Sequence, residues 1–243
     1  SGCGAITRGL GEKGRTVTAL EASYQRARIT AERCRELDNV DVLADTFENY
    51  ISQTLFDLVT MIGVLEYSPS SFSGQDPVLS TLKKAYDLLD KNGVLIIAIE
   101  NQLGLKYFNG ATEDHTGEMF YGINDLYAAN GAITFGKKEL ESQVKQAGFN
   151  QIEFVYPFPD YKLPQLLIRE SASEDPDLKL GELIGQYTAC DYSGLSQHLF
   201  LEKRIWPVLA RNKLVPDLAN SFLVFAFKGE GGLNDLTSEW SVK

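Results

Sequence analysis

The chain has 243 residues, a formal net charge of −10, and a composition that is 44% hydrophobic and 23% charged. This composition is ordinary for a globular protein and excludes extensive disorder, and no apolar run is long enough for a transmembrane helix. The acidic balance also argues against a nucleic-acid partner, because neutralising phosphates requires clustered Lys and Arg.

Short apolar runs alternate with amphipathic helices over the front of the chain. The predicted strands are Thr16–Glu21, Val40–Asp45, Phe56–Ile62 and Val94–Ile99. One helix follows the N-cap residue Ser23, and another begins at Asp76-Pro77 and ends at Asn92-Gly93. Strands separated by helices predict βαβ units and therefore a parallel sheet.

The regular pattern is interrupted by two insertions. Segment 101–136 is rich in Gly, Asn and Tyr and lacks periodicity, whereas segment 169–216 is predicted to be mostly helical. The regular elements predicted around them are the helix Lys138–Ala147 and the strands Gln151–Tyr156 and Ser221–Phe227. The tail 229–243 begins with several glycines and is expected to be loosely held.

A glycine turn and an acidic residue lie where a nucleotide site needs them. Gly2-x-Gly4 opens a helix, and Glu21 ends the strand that follows. Glycines let the backbone approach a ligand, and a carboxylate at the second strand end accepts hydrogen bonds from ribose hydroxyls. Thr7 replaces the third glycine of the dinucleotide motif, which favours a nucleoside ligand over NAD. A strand should precede this turn and none does, so we expect the chain to be the later part of a longer polypeptide.

Five segments in order resemble the motifs of class I (Rossmann-like) S-adenosylmethionine-dependent methyltransferases. They are Ser1–Gly4 as the glycine motif, Leu20–Ser23 as the acidic motif, Leu43–Thr46 at the third strand, Phe56–Tyr67 around the fourth and Leu88–Leu95 before the fifth. The resemblance implies an α/β fold with a doubly wound, mostly parallel seven-stranded sheet, whose last strand is antiparallel and whose first strand is missing from the chain. It also implies one domain over residues 1–228, in which insertions 101–136 and 169–216 form a lid and acceptor region.

The resemblance implies S-adenosylmethionine as the cofactor. The backbone of Gly2, Cys3 and Gly4 would lie under its methionine and ribose part, and Glu21 would bind the ribose diol. Asp45 would accept a hydrogen bond from the adenine amino group. The other residues expected at the cofactor are Thr46 beside Asp45, Ala22 and Ile62 on the adenine ring faces, and Gly63 and Val64 at the methionine end.

The acceptor is expected beyond the carboxyl ends of the parallel strands, where ligands bind in doubly wound sheets. A hydroxyl acceptor needs a base, and the unperturbed pKa of His115 suits that role near neutrality. The alternative is a structural histidine bonded to Asp114 or to the backbone. Glu66 and Glu100, at strand ends, are rival bases. The candidate substrate-binding residues are Tyr67, Asn101, Tyr107 and Tyr121.

A second resemblance concerns the acceptor. The segments Glu100–Tyr107, Glu113–Gly117 and Ala219–Leu223 resemble methyltransferase domains joined to bacterial glycosyltransferases of surface-polysaccharide assembly. This implies a glycan hydroxyl or a related small polar acceptor, and a glycosyltransferase that is fused to the domain or works with it. Two alternatives stay open. One is an NAD(P)-dependent oxidoreductase or epimerase, although the chain has no Tyr-x-x-x-Lys pair. The other is an inactive methyltransferase fold that serves as a binding domain.

Cysteine and histidine are sparse. The cysteines Cys3, Cys34 and Cys190 include no C-x-x-C pair, and the histidines are His115 and His198. This usage fits a reducing compartment and argues against a disulfide framework or a bound metal. Since no segment has the pattern of a signal peptide, the expected location is the cytoplasm.

Overall fold

The computed structural model describes residues 1–175, 177–189 and 198–234. Its strands are β1 (Val17–Leu20), β2 (Val40–Leu43), β3 (Phe56–Ile62), β4 (Leu89–Glu100), β5 (Gln151–Phe158), β6 (Leu166–Arg169) and β7 (Ser221–Phe227). Its helices are α1 (Ala5–Glu12), α2 (Tyr24–Arg33), α3 (Ser68–Ser71), α4 (Pro77–Leu88), α5 (Leu105–Phe108), α6 (Lys137–Gln146), α7 (Leu180–Ile184), α8 (Glu202–Arg211) and α9 (Val215–Leu218). Short 3-10 helices cover Leu65–Tyr67 and Glu170–Glu174. The chain divides into two compact units, Ser1–Gln53 and Thr54–Lys243.

The first unit is built on a parallel pair of strands. β1 and β2 run side by side from Val17 opposite Val40 to Leu20 opposite Leu43. Helix α2 begins at the predicted N-cap Ser23, whose side chain accepts a hydrogen bond from the backbone N–H of Arg26. The predicted strand–helix–strand order of this unit is therefore confirmed.

The second unit contains a five-stranded sheet in the order β3-β4-β7-β5-β6. β3 and β4 are parallel, and β7 is antiparallel to both β4 and β5, so β3, β4 and β5 all run in one direction. The α/β class and the antiparallel strand Ser221–Phe227 are confirmed. Among the described residues, however, the strands form sheets of two and five, because each ladder ends within its own unit. The grouping of the strands thus differs from the single seven-stranded sheet expected, while the α/β fold class is confirmed.

Two element boundaries differ from the prediction. α4 ends at Leu88 rather than at Asn92-Gly93, because the buried Leu89 already pairs with Phe56 in the sheet. β6 was not predicted, and it extends the sheet by pairing antiparallel with β5. The start of the tail is held by Leu233, which is 2% exposed and packs against Val94 and Phe227. Cys190 and residues 235–243 lie outside the described residues.

Two buried asparagines join the loops at the ends of β4, β5 and β7. The side chain of Asn101 donates to the carbonyls of Asp217 and Ala219, at 2.8 and 2.7 Å. Asn220 accepts from the backbone N–H of Lys106 and donates to the carbonyl of Pro159, both at 2.9 Å. These bonds fix the start of segment 101–136 to the end of the sheet. No helix in the described part of the chain is long and apolar enough to span a membrane.

Candidate active site

The glycine turn of the first unit is held against α2. Gly2 and Gly4 have φ values of 58° and 79°, which L-residues with a side chain rarely adopt. A Cβ at position 4 would lie 2.8 Å from Cγ2 of Thr30, and the Thr30 hydroxyl donates to the carbonyl of Gly2 at 3.0 Å. Around Gly2 nothing lies within 4 Å of the position a Cβ would take, and Cys3 carries an exposed thiol. The turn therefore presents open backbone on one side and close packing on the other.

Glu21 follows β1 as a buried, ionised carboxylate. It accepts hydrogen bonds from the backbone N–H groups of Gly2 and Ser23, at 2.8 and 3.0 Å, and from Nε of Arg26 at 2.8 Å. Burial alone would raise the pKa of Glu21, but these hydrogen bonds outweigh it and lower the pKa to about 2. Nη2 of Arg26 at 2.6 Å and the amino group of Ser1 at 3.3 Å also contact this carboxylate, so a ribose diol would have to displace one or more of these donors. Ala22 beside it is exposed.

Asp45 and Thr46 form a turn after β2. Oδ1 of Asp45 accepts from the backbone N–H of Thr46 at 2.7 Å, and the Thr46 hydroxyl accepts from the N–H of Asn49 at 3.3 Å. Asp45 is exposed, so its carboxylate is accessible to a ligand as well as stabilising the turn.

In the second unit, the carboxyl end of β3 leads directly to an acidic side chain. Ile62 is partly buried, Gly63 has a φ of 62°, and Val64 is 40% exposed. A Cβ at position 63 would lie 2.9 Å from the hydroxyl of Tyr161 and 3.5 Å from Oε1 of Glu66. Glycine is therefore needed at position 63, and Glu66 lies next to it.

Three buried glutamates surround His115; we call Glu66, Glu100, Glu113 and His115 the carboxylate–histidine cluster. Glu66, Glu100 and Glu113 are 1%, 2% and 3% exposed. Nδ1 of His115 lies 2.9 Å from Oε1 of Glu113, and Nε2 lies 3.7 Å from Oε1 of Glu66. Glu113 also accepts from the backbone N–H groups of His115 and Thr116, at 2.7 and 2.8 Å. The imidazole is thus oriented by Glu113, with Nε2 on the side of Glu66.

Two lysines balance part of this negative charge. Nζ of Lys162 lies 2.8 Å from Oε1 of Glu100 and also pairs with Asp114. Nζ of the buried Lys106 lies 2.6 Å from Asp114. Tyr161 donates to Glu100 at 3.2 Å. The cations around the cluster are therefore fixed by ion pairs.

The electrostatics favour Glu66 over His115 as the base. Burial lowers the pKa of His115, but hydrogen bonds to Glu113 and Glu66 and the charge of Glu100 outweigh it and raise the pKa to about 10. The imidazole is therefore protonated at neutral pH and has no lone pair for a proton. Burial raises the pKa of Glu66, which brings this carboxylate closer to the range useful for a base. The partner of His115 is Glu113, not Asp114 as the structural alternative proposed.

The first 95 residues of the chain match a family model described as a methyltransferase domain. This match covers the first unit and the beginning of the second, which is less than half of the chain. It agrees with the resemblance of the front of the chain to methyltransferases. No curated protein sequence matches the chain.

Solved structures share the fold at low sequence identity. An S-adenosylmethionine-dependent methyltransferase from Thermotoga maritima is 18% identical, with a TM-score of 0.51, over 93% of this chain and 78% of its own. The N-methyltransferase NodS from Bradyrhizobium japonicum WM9 is 10% identical, with a TM-score of 0.52, over 94% and 82%. Phospholethanolamine N-methyltransferase 2 from Haemonchus contortus is 18% identical, with a TM-score of 0.51, over 94% and 47%. At these identities the comparison concerns the fold and not the acceptor.

The tyrosines and the asparagine predicted to bind substrate occupy different positions in the second unit. Tyr67 is 45% exposed and meets His115 edge-on, with ring centroids 5.4 Å apart. Tyr107 is buried and donates to Asp114 at 2.5 Å, and Tyr121 packs against Tyr127. Asn101 is fully buried and uses both amide hydrogens on backbone carbonyls. Tyr67 therefore lies at the cluster, whereas Asn101 stabilises the loops at the end of the sheet.

Sequence reasoning missed Glu113, Tyr161 and Lys162. Tyr161 and Lys162 follow β5, whose last residues are buried, and they reach Glu100 at the end of β4. Charged and hydroxyl residues directly after a buried strand would have been the signal, because β4 and β5 run in the same direction. Glu113 had no such signal, since it lies in irregular chain between α5 and α6.

Proposed function

We propose that this methyltransferase transfers a methyl group from S-adenosylmethionine to a hydroxyl of a small polar acceptor, a glycan or related metabolite. Glu66 is the observation that carries the proposal. It is a buried carboxylate with one oxygen that has no hydrogen-bond partner among the described residues. It lies against Gly63, the residue expected at the methionine end of the cofactor. A base next to the reactive end of the cofactor is what a hydroxyl acceptor requires.

The first unit supports the nucleoside part of this proposal. Open backbone at Gly2, the ionised Glu21 and the exposed Asp45 are groups that fit a ribose and an adenine amino group. We assign the ribose diol to Glu21 and the adenine amino group to Asp45, with Thr46 beside Asp45 and Ala22 on a ring face. In the second unit we assign Ile62, Gly63 and Val64 to the cofactor as well.

The chemistry is a displacement at the methyl carbon. The cofactor supplies an electrophilic methyl group on a positively charged sulfur. When bound, the cofactor would give this methyl group to the acceptor oxygen, and the electron pair of the carbon–sulfur bond would stay on sulfur. Glu66 takes the hydroxyl proton. His115, protonated and 3.7 Å from Oε1 of Glu66, orients the carboxylate, and most of the acceleration comes from positioning.

The acceptor region remains a proposal drawn from the sequence. We propose that segments 101–136 and 169–216 cover the acceptor, with Tyr67 at its edge beside His115. The resemblance of three segments to glycosyltransferase-linked domains supports a glycan made by a glycosyltransferase, as part of polysaccharide biosynthesis in the cytoplasm. Cys3 and Cys34 are free thiols, which is compatible with a reducing compartment.

The test is a methylation assay with labelled cofactor on a panel of glycan hydroxyls and simple amines. We expect hydroxyl methylation, and Glu66→Gln should lower kcat by about a hundredfold or more while leaving cofactor affinity unchanged. Glu118→Gln, an exposed glutamate of the same segment, is the matched control and should keep full activity. Full activity of Glu66→Gln would refute the base, and methylation of amines alone would refute the acceptor class. Calorimetry measures cofactor binding to the wild type and to Glu21→Ala. If the wild type shows no binding and the substitution makes no difference, the whole proposal is refuted.

A further inference from the structure

The carboxylate–histidine cluster has the donor set of a metal site. We propose that Glu66, Glu100 and His115 bind one divalent metal ion, with Mn²⁺ as the best-matched ion. One ligand atom from each of the three residues lies within 4.8 Å of the other two. Three donors that share one ion at about 2.1 Å lie about 3.0–3.6 Å from one another, so the side chains must close by up to about 1–2 Å to complete the site.

Unpaired oxygens provide a second and independent observation. Oε2 of Glu66 and Oε2 of Glu100 have no hydrogen-bond partner within the part of the chain that the structure describes. The two side chains are 2% and 3% exposed, so solvent does not satisfy these oxygens. A buried acceptor without a partner costs free energy. One cation between the two carboxylates would satisfy both oxygens.

Glu113 gives His115 the orientation of a metal ligand. A histidine that binds a metal through one nitrogen usually donates from the other nitrogen to a carboxylate, which fixes the ring. Nδ1 of His115 lies 2.9 Å from Glu113, and two backbone N–H groups hold Glu113 in turn. Nε2 is therefore the nitrogen left for the ion, on the side of Glu66.

The charges agree with a divalent ion. Four carboxylates, those of the cluster and of Asp114, are matched by the two ammonium groups of Lys106 and Lys162. With a neutral imidazole the sum is −2, which one divalent cation cancels. Two carboxylates and one imidazole suit Mn²⁺, whereas softer donor sets favour Zn²⁺. Counting cysteines and histidines missed this site because most of its ligands are glutamates.

The consequence for catalysis rests on the proposed function. A hydroxyl bound to a divalent ion loses its proton more easily. In the metal-bound protein Oε2 of Glu66 would bind the ion, so Oε1 would take the acceptor proton in place of the unpaired oxygen, and His115 would bind the ion instead of orienting Glu66. Metal binding itself is measurable without cofactor or acceptor, so the two proposals are tested separately.

In the experiment, Mn²⁺ is titrated into the EDTA-treated full chain. Binding is measured by calorimetry and by the loss of the electron paramagnetic resonance signal of free Mn²⁺. We expect one ion per chain. Glu100→Gln should weaken binding about a hundredfold, and Glu113→Gln about tenfold to a hundredfold through the histidine. Glu118→Gln should bind like the wild type. Competition with Zn²⁺ and Mg²⁺ then ranks the affinities of the three ions. If Mn²⁺ binds more weakly than both of the others, the choice of ion is overturned.

Each result decides one proposal. Absence of Mn²⁺ binding, or binding that none of the cluster variants weakens, refutes the metal site. Methylammonium, a model of a cationic acceptor, is titrated in the same way. If it binds at these residues and Mn²⁺ does not, the metal site is refuted and the cluster is assigned to a cationic acceptor. If Glu100→Gln fails to fold by circular dichroism, Glu113→Gln carries the test. Stoichiometric Mn²⁺ binding without any methyl transfer keeps the metal site and defeats the proposed function.

Discussion

Gly4 is required both by its backbone conformation and by its neighbour. Its φ of 79° lies in the left-handed region, and it is buried against α2. A Cβ would lie 2.8 Å from Cγ2 and 3.0 Å from Cα of Thr30, and the second of these atoms is backbone and cannot rotate away. The open backbone at Gly2 depends on this packing, because the Thr30 hydroxyl also holds the carbonyl of Gly2.

Gly4→Ala should therefore destabilise the protein. We expect a loss of about 2 kcal/mol in the free energy of unfolding, from left-handed strain together with overpacking. Gly9→Ala is the matched control, since Gly9 lies in α1 with nothing within 4 Å of a Cβ. It should stabilise by about 0.5–1 kcal/mol. Urea unfolding followed by circular dichroism measures both changes, and equal effects of the two substitutions would contradict the packing argument.

Individual site residues could be predicted only where the backbone pattern determines their position. Glu21 and Gly63 follow strands, and the structure places them at strand ends as expected. The protonation of His115 could not be predicted, because it depends on Glu66, Glu100 and Glu113, which come from three separate segments. A pKa follows from the set of neighbours, and irregular chain gives no register from which to infer that set.

Among the elements, α4 shows a helix start that the sequence determines locally. Asp76 is the N-cap, and its Oδ1 accepts from the backbone N–H of Leu79 at 2.9 Å. Pro77 occupies the first position, where a missing N–H costs nothing. The helix then buries Val78, Leu82 and Ala85. The cap thus sets the phase in which these apolar residues face the core.

Asp76→Ala should lower the free energy of unfolding by about 1 kcal/mol, because it removes the partner of an N–H group at the helix start. Asp87→Ala is the control on the same helix. Asp87 is exposed near the carboxyl-terminal end, where a negative charge is unfavourable, so its loss should change stability by less than about 0.5 kcal/mol. Thermal unfolding by calorimetry separates the two. A cap variant as stable as the wild type would show that packing alone fixes α4.

Strands with a continuous apolar run were predictable at the level of elements. Phe56–Ile62 and Ser221–Phe227 have the predicted bounds. The end of α4 was wrong because Asn92-Gly93 is typical of a helix stop, whereas the sheet already begins at the buried Leu89. β6 was missed because four residues are too few for a pattern, and its pairing with β5 is a long-range contact.

At the scale of the whole molecule, acidic side chains outnumber basic ones, with 33 Asp and Glu against 23 Lys and Arg. Exposed carboxylates contribute little to the pH dependence of stability, because their environment changes little on folding. Glu21 is one of the buried exceptions, since its hydrogen-bond donors and the Ser1 amino group lower its pKa from 4.5 to about 2 against the opposing effect of burial. Its contribution to folding therefore depends on pH in a defined range.

Because the folded-state pKa of Glu21 lies below the ordinary value, its stabilisation is complete above about pH 4.5 and is lost as the pH falls toward 2. Allowing for screening by solvent, we expect a contribution of about 1–2 kcal/mol at pH 7. Glu21→Gln should be less stable than the wild type by that amount at neutral pH, and the two curves should converge near pH 2. Glu12→Gln changes an exposed glutamate paired with Arg8, so its curve should follow the wild type throughout. Urea unfolding at a series of pH values measures all three curves. If the curve of Glu21→Gln stayed parallel to that of the wild type between pH 5 and pH 2, the ionised carboxylate would have no part in the stability of the fold.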